Sequence, residues 1–282
     1  MSKQSILTAL TLLTVAQTAQ ADSNPWLPEP GAINGSVSYV YQTTDRFFLG
    51  NKLSELPEEL SQHTVNFYGE YGLSDSIALD ASLGYSSSEF IATPSDGPAP
   101  FGASLDGLTD THLGIRWRAL DEFIAAPVTV TFRAGGIVRG DYQVGALNAI
   151  GDGASGGEFS ALIGRLFENG LSVSSELGYR TFEGQVPDQF FANIRGSYAI
   201  NAKASIGINY QIQESLSGID IGAPGFTFAR FPGLNEDYQL LGGNLSYQLT
   251  PATSVTVVYA GIVDGRNTSY HDLAGINLGF SF

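Results

Sequence analysis

The sequence predicts an all-β chain that closes into a single transmembrane antiparallel β-barrel of twelve strands, and three observations carry the prediction. Apolar and polar residues alternate with a period of two in segment after segment. The connections between segments are alternately short and long, and aromatic residues recur at both segment ends. A strand in a bilayer needs this pattern because one face meets hydrocarbon and the other a polar interior.

Residues 1–21 have the order of an export signal: Lys3, an apolar stretch from Ile6 to Ala16, then the small-x-small site Ala19-Gln20-Ala21. The stretch is too short to span a bilayer as a helix. A short periplasmic segment, residues 22–31, precedes the barrel at 32–282. With Trp26 and three prolines it either dips into the lumen as a small plug or hangs free.

The alternation is clearest at Ser76 to Tyr85. Ile77, Leu79, Ala81, Leu83 and Tyr85 point one way, and Ala78, Asp80, Ser82 and Gly84 the other. The same rule places strands at about 32–44, 62–71, 76–85, 108–119, 128–139, 157–166, 171–182, 189–199, 204–216, 238–249, 254–263 and 272–282. Each is close to the roughly 9–11 residues that a tilted strand needs to cross a bilayer. The strand at 254–263 is the weakest, since Val258 and Ile262 make its inner face apolar too. Misreading it shifts the count by two. Tight turns fall at 72–75, 168–170, 200–203 and 250–253, and long loops at 45–61, 86–107, 140–156 and 217–237. Short periplasmic turns and long extracellular loops are expected of outer-membrane barrels, and an even strand count leaves both chain ends in the periplasm. Tyr71, Trp117, Tyr198, Tyr247 and Phe282 fall at the periplasmic ends; Tyr41, Tyr85, Phe159, Tyr179, Phe190 and Tyr259 fall toward the opposite ends. These are the two interfacial belts.

Composition removes several functions. There is no cysteine, hence no disulfide, thiolate nucleophile or cysteine-held metal. The net charge of −15 with 13 lysines and arginines argues against nucleic acid. No cofactor or metal is expected: His63, His112 and His271 lie far apart without ligand spacing. Gly151 to Gly156 matches the spacing GxGxxG but leads into a strand, so it reads as a surface loop. The acidic residues Glu55, Glu58, Glu59, Asp106, Glu236 and Asp237 read as solvated loops. Ser269 beside His271-Asp272 invites comparison with a lipid-modifying outer-membrane enzyme. The sequence places no orienting amide beside that histidine, and no enzyme is expected.

The inward set carries the charges. Counting from the periplasmic turns puts Asp80, Arg116, Arg133, Glu176 and Arg195 at similar height. This predicts an Asp80–Arg116–Arg133 cluster and a Glu176–Arg195 pair. Nearer the outside lie Asp110, His112, Arg139, Glu158 and Arg180, with Glu158 and Arg180 matched on adjacent strands. These charges either form a constriction that selects a solute or pair and fill the barrel. Their interleaved signs favour the second.

Gly275, Leu278, Phe280 and the terminal Phe282 resemble the C-terminal signal of outer-membrane barrels. The barrel-assembly machinery, outer-membrane lipids and lipopolysaccharide are therefore expected partners. Three further stretches resemble one family: Gly107-Leu108-Thr109-Asp110 through Gly114-Ile115-Arg116-Trp117-Arg118, Gly151-Asp152-Gly153 followed by Glu158, and Gly178-Tyr179-Arg180 followed by Pro187-Asp188-Gln189. They are similar to the phenol-degradation (meta-pathway) outer-membrane proteins, and remotely to the long-chain fatty-acid channels. The resemblance implies passage of small, often hydrophobic compounds across a bacterial outer membrane. Two hypotheses lead, a passive channel for a small-molecule solute and a closed structural barrel that acts through its outer loops, with a lipid-modifying outer-membrane enzyme a distant third.

Overall fold

The computed structural model describes residues 24–92, 101–151 and 153–282. The signal-like residues 1–21 and Asp152 of the glycine-rich loop lie outside the described residues. The strand segments are β1 (Ile33–Leu49), β2 (Lys52–Ser74), β3 (Ile77–Ala92), β4 (Phe101–Leu108), β5 (Thr111–Leu120), β6 (Thr129–Val138) and β7 (Gly156–Leu166). They continue with β8 (Leu171–Phe182), β9 (Gln189–Ala199), β10 (Ala204–Ser215), β11 (Asp237–Thr250), β12 (Thr253–Arg266) and β13 (Asp272–Ser281).

Every neighbour pair is antiparallel. β4 and β5 both pair with β3, Leu108 opposite Tyr85 and His112 opposite Ser82. They are therefore two parts of one barrel strand, interrupted at Thr109-Asp110. Asp110 there accepts a hydrogen bond from the Gly140 backbone, 2.9 Å away, and so joins the break to the chain leaving β6. Pairing of β1 with both β13 and β2, and of β2 with β3, closes a twelve-stranded barrel. Closure satisfies every edge, which hydrocarbon requires. At the seam, Ile33 and Phe282 exchange backbone hydrogen bonds of 3.0 and 2.9 Å. Gly275, Leu278, Phe280 and Phe282, the residues expected to form an assembly signal, lie on or at the end of the closing strand.

The outer face agrees with the alternation. Phe67, Leu79, Ile115, Trp117, Leu177 and Ile208 are all exposed to the bilayer side. Trp117, Phe132 and Phe159 stack in sequence across β5, β6 and β7, with ring centroids 5.8 and 6.3 Å apart. A closed barrel with this apolar exterior is a bacterial outer-membrane protein.

Two expected loops are largely strand. β1 and β2 continue beyond 44 and 62 into a long hairpin whose tip is at Gly50-Asn51, and β3 and β4 pair through Ile91↔Gly102 within the expected 86–107 loop. Outside the bilayer both strand faces meet water, so alternation disappears while the backbone groups still need partners. The bulge in the first hairpin falls between the Thr44↔Leu60 and Arg46↔Glu55 pairs. Pro57 sits on its longer side, where its missing N–H costs no ladder bond.

Candidate functional site

The lumen is built in three levels. At the periplasmic floor, the segment before β1 runs inside the wall. Thr131 donates to the Pro25 carbonyl at 2.6 Å, and Arg116 donates to the Asn24 carbonyl. Trp26 Nε1 donates to Glu122 at 2.9 Å, and the same carboxylate accepts the Leu166 backbone N–H at 3.0 Å. A Cβ on Gly164 would stand 2.7 Å from Pro25 and 3.1 Å from Trp26, so glycine is what lets the segment lie against β7. Of the two dispositions left open by the sequence, the segment adopts the inward one.

Above the floor is the charge cluster. Arg133 holds Asp80 through Nε at 2.9 Å and Nη2 at 2.6 Å, and Glu158 through Nη1 at 2.5 Å. Glu158 also accepts from Arg180 at 3.3 Å and faces His112 Nδ1 at 3.0 Å. Asp80 and Arg133 are two strands apart, with Gly114 between them. A Cβ there would meet Asp80 Oδ2 at 2.6 Å and Arg133 Nη2 at 2.7 Å.

Arg116 is the correction to the predicted triad. It ion-pairs with Glu70 at 2.5 Å instead of joining Asp80. The registers Glu70↔Asp80 and Ala78↔Arg116 show why. Tilted strands offset their neighbours, and counting residues from each turn omits that offset. Glu70 was missed although its parity points inward. On the far wall Glu176 accepts from Asn193 Nδ2 at 2.9 Å, its partner in register, and Arg195 stands opposite Ser174. The structure brings Asp80, Arg133, Glu158, His112 and Arg180 together as one network.

The upper lumen is a cavity of about 580 Å³. The 139–155 loop turns into it. Tyr142 donates its hydroxyl to Asp110 at 2.6 Å and accepts from the Gly153 backbone at 2.8 Å. Arg139 reaches the Tyr142 carbonyl at 3.5 Å. Asn148, 2 % exposed, donates to Ser88 at 3.1 Å and to the Ala103 carbonyl at 2.8 Å. The connection after β10 covers the opposite side with Phe231, Pro232 and Leu234. Asn267 clasps that connection. Its side chain donates to Asp220 at 2.8 Å and to the Asn235 carbonyl at 2.7 Å, and accepts from Ile221 at 3.0 Å and Gly50 at 2.9 Å.

His271 does acquire a serine and an amide, against expectation. Ser269 Oγ lies 2.7 Å from Nδ1, and Gln42 Nε2 lies 3.3 Å from Nε2. Ser269 and His271 are two residues apart in one connection, so their contact fixes that connection locally.

A profile of the family described as "Putative MetA-pathway of phenol degradation" matches residues 84–278. No curated protein sequence matches the chain. Among solved structures, an outer-membrane channel from Pseudomonas putida F1 superposes with a TM-score of 0.72 at 13% identity, covering 94% of this chain and 100% of that one. The NanC porin gives 0.54 at 9%, with coverages of 87% and 98%. The translocator domain of autotransporter NalP from Neisseria meningitidis gives 0.51 at 14%, with 90% of each chain covered. At such identities the likeness is one of fold.

Proposed function

We propose that this chain, which belongs to the family described as "Putative MetA-pathway of phenol degradation", is a passive outer-membrane channel for small, largely apolar molecules. The observation that carries the reading is the cavity of about 580 Å³ enclosed by the barrel wall, with the N-terminal segment and charge cluster on its inner side and two infolded connections on its outer side. A solute enters between the connections after β6 and β10, dwells in the cavity, and leaves when the segment at Asn24–Trp26 moves aside. In this reading Arg116 stands at the floor, the network of Asp80, Arg133, Glu158, His112 and Arg180 lines the narrowest level with Glu176 and Arg195 on the far wall, and Asp110 and Arg139 shape the level above. The family match and the fold likeness to an outer-membrane channel support a channel over an enzyme. Assembly through the C-terminal strand and contact with lipopolysaccharide belong to the same proposal.

The full pairing of Arg133 also supports the second reading, a closed structural barrel. Planar-bilayer recording separates the two. Little steady conductance is expected from the folded protein, and Trp26→Ala, which frees the segment from Glu122, is expected to raise it several-fold. If the variant remains as silent as the parent, and neither carries small-solute flux in liposome swelling, the channel reading is refuted.

A further inference from the structure

The apolar inner face of β12, which weakens its alternation, has an occupant from the same chain. Phe48, 6 % exposed, packs against Leu240, Ala260 and Ile262, and the Tyr270 ring meets it edge-on with centroids 5.8 Å apart. Phe48 lies in the outer part of the β1–β2 hairpin. Leu240 is on β11, three strands from β1, or about 14 Å at the usual strand spacing. The side chains that Phe48 meets face inward, so the hairpin leans over the mouth of the barrel.

The lean begins at a break in the hairpin ladder. On the barrel side of the break Thr44 pairs with Leu60, and beyond it Arg46 pairs with Glu55. Between them Asp45 alone stands against Leu56, Pro57, Glu58 and Glu59. A few residues of this kind can absorb the backbone rotation of a hinge. Beyond the break the arm at 46–55 is fastened to the connection between β12 and β13. Backbone N–H groups donate from Phe48 to Thr268 at 2.8 Å, from Tyr270 to Arg46 at 3.0 Å and from Asn267 to Gly50 at 3.1 Å. The Arg46 guanidinium lies 4.3 Å from the centre of the Tyr270 ring. Outside the bilayer, water replaces a lost hydrogen bond at little net cost. An apolar ring has no such substitute, so the seat of Phe48 keeps the arm down.

Both covers of the cavity rest on this hairpin. Asn267, which bonds Gly50 at the tip, also holds Asp220 and Asn235 of the connection after β10. Leu147, from the infolded 139–155 loop, packs with Leu56, Leu60 and Phe90 at the break.

We propose that the first hairpin is a hinged gate at the outer mouth, turning at 45 and 56–59 and latched by Phe48, and that it sets the size of solute admitted. Seated, it leaves only the passage between the two covers. Lifted, it withdraws the footing of Leu147 and the hold of Gly50 on Asn267, and so loosens both covers together. As a selector of solutes the gate rests on the channel reading; its motion is tested without it.

The chain contains no cysteine, so introduced thiols are the sole sites of labelling or cross-linking. Spin labels at Asn51→Cys on the tip and Glu183→Cys on the far rim report the tilt by pulsed electron resonance in lipid nanodiscs. One narrow distance is expected while Phe48 is present. Phe48→Ala is expected to add a second, longer population, with Phe48→Leu intermediate. The same distribution in all three makes the hairpin a rigid part of the wall and overturns the proposal. Size selection is read from liposome swelling in glycerol and in sucrose, with the floor freed by Trp26→Ala. Phe48→Ala is expected to raise the sucrose-to-glycerol rate ratio at least threefold. Phe47 and Ser269 stand opposite each other where the arm meets the connection. The disulfide of Phe47→Cys/Ser269→Cys is expected to lower the ratio, and a reductant to restore it. This lock keeps Phe48, so it decides the matter where Phe48→Ala fails to fold. A ratio indifferent to both Phe48 and the lock overturns the gate. If the Trp26→Ala protein passes neither solute while the tip still moves, the channel reading fails and the hinge stands; passage with a fixed tip does the reverse.

Discussion

Replacing Arg133 by methionine asks whether the charge cluster is dry. Arg133 is 4 % exposed and Asp80 5 %. Asp80 takes three contacts from this one guanidinium, at 2.9, 3.0 and 2.6 Å. Glu158 would keep Arg180 and His112, so the penalty falls on Asp80. Removing one member of a buried pair costs about 3–5 kcal/mol, because the other charge is left uncompensated. At 1.4 kcal/mol per decade this is roughly two to three and a half decades in the folding constant. Where water reaches the pair, the same change costs no more than about 1 kcal/mol. The assay is urea-dependent folding into lipid vesicles, read from the heat-modifiable gel mobility of a folded barrel. Asp80→Asn added to Arg133→Met should recover at least half of the loss. A loss below about 1 kcal/mol with no recovery would show the cluster solvated and refute the argument for a closed constriction.

Gly114→Ala should act in the same direction through geometry alone, since its Cβ would stand 2.6 Å from Asp80 Oδ2. The vesicle-folding assay should place it between the parent and Arg133→Met. Asn267 adopts φ of 52° and joins four backbone and side-chain groups of the outer connections. Asn267→Ala should expose the 216–236 connection to protease, and Asn267→Gly, which relieves the left-handed backbone, should be milder by about 1 kcal/mol. The hydrogen bond from Arg266 holds the Asp220 carboxyl below its ordinary value of 3.8. That contribution is present above the ordinary value and is lost as pH falls through the lower, folded one. Protease sensitivity of the same connection should therefore rise only below about pH 4, and Asp220→Asn should show it already at pH 7.

Legibility followed the bilayer. The strands at 171–182 and 189–199 were placed to the residue, because lipid and lumen impose opposite demands on successive side chains. The hairpin arms at Lys52–Leu60 and Phe101–Leu108 were read as loops, because that contrast ends where both faces meet water. Within the site, the Glu158–Arg180 match and the Asp80–Arg133 contact were legible from parity and height. Glu70 as partner of Arg116 was not, since it depends on strand stagger and on a segment whose path the alternation does not specify. The amide at His271 comes from β1, and so depends on the seam that closes the barrel, which joins the two ends of the sequence.

The charge distribution ties these features to solute choice. The chain carries −15 overall. Its inner wall sets Arg116, Arg133, Arg180 and Arg195 against Glu70, Asp80, Glu158 and Glu176, and Asp110 and Glu236 also face the cavity. Further acidic residues, the exposed Asp45, Glu55, Glu58 and Glu59, sit outside the lumen on the first hairpin. An acidic rim repels anions before they reach the mouth, while Arg133, held between Asp80 and Glu158, ties up the charges of the cluster. Cations gathered at the rim find Glu70, Asp80 and Glu158 already paired with arginines. On β11–β13 the aliphatic side chains are already covered, with Phe48 packed against Leu240, Ala260 and Ile262. One arrangement thus concentrates polar pairs on β2, β3 and β5–β8, and sets apolar side chains on the wall between β10 and β1, where they seat Phe48 at the outer end of the first hairpin.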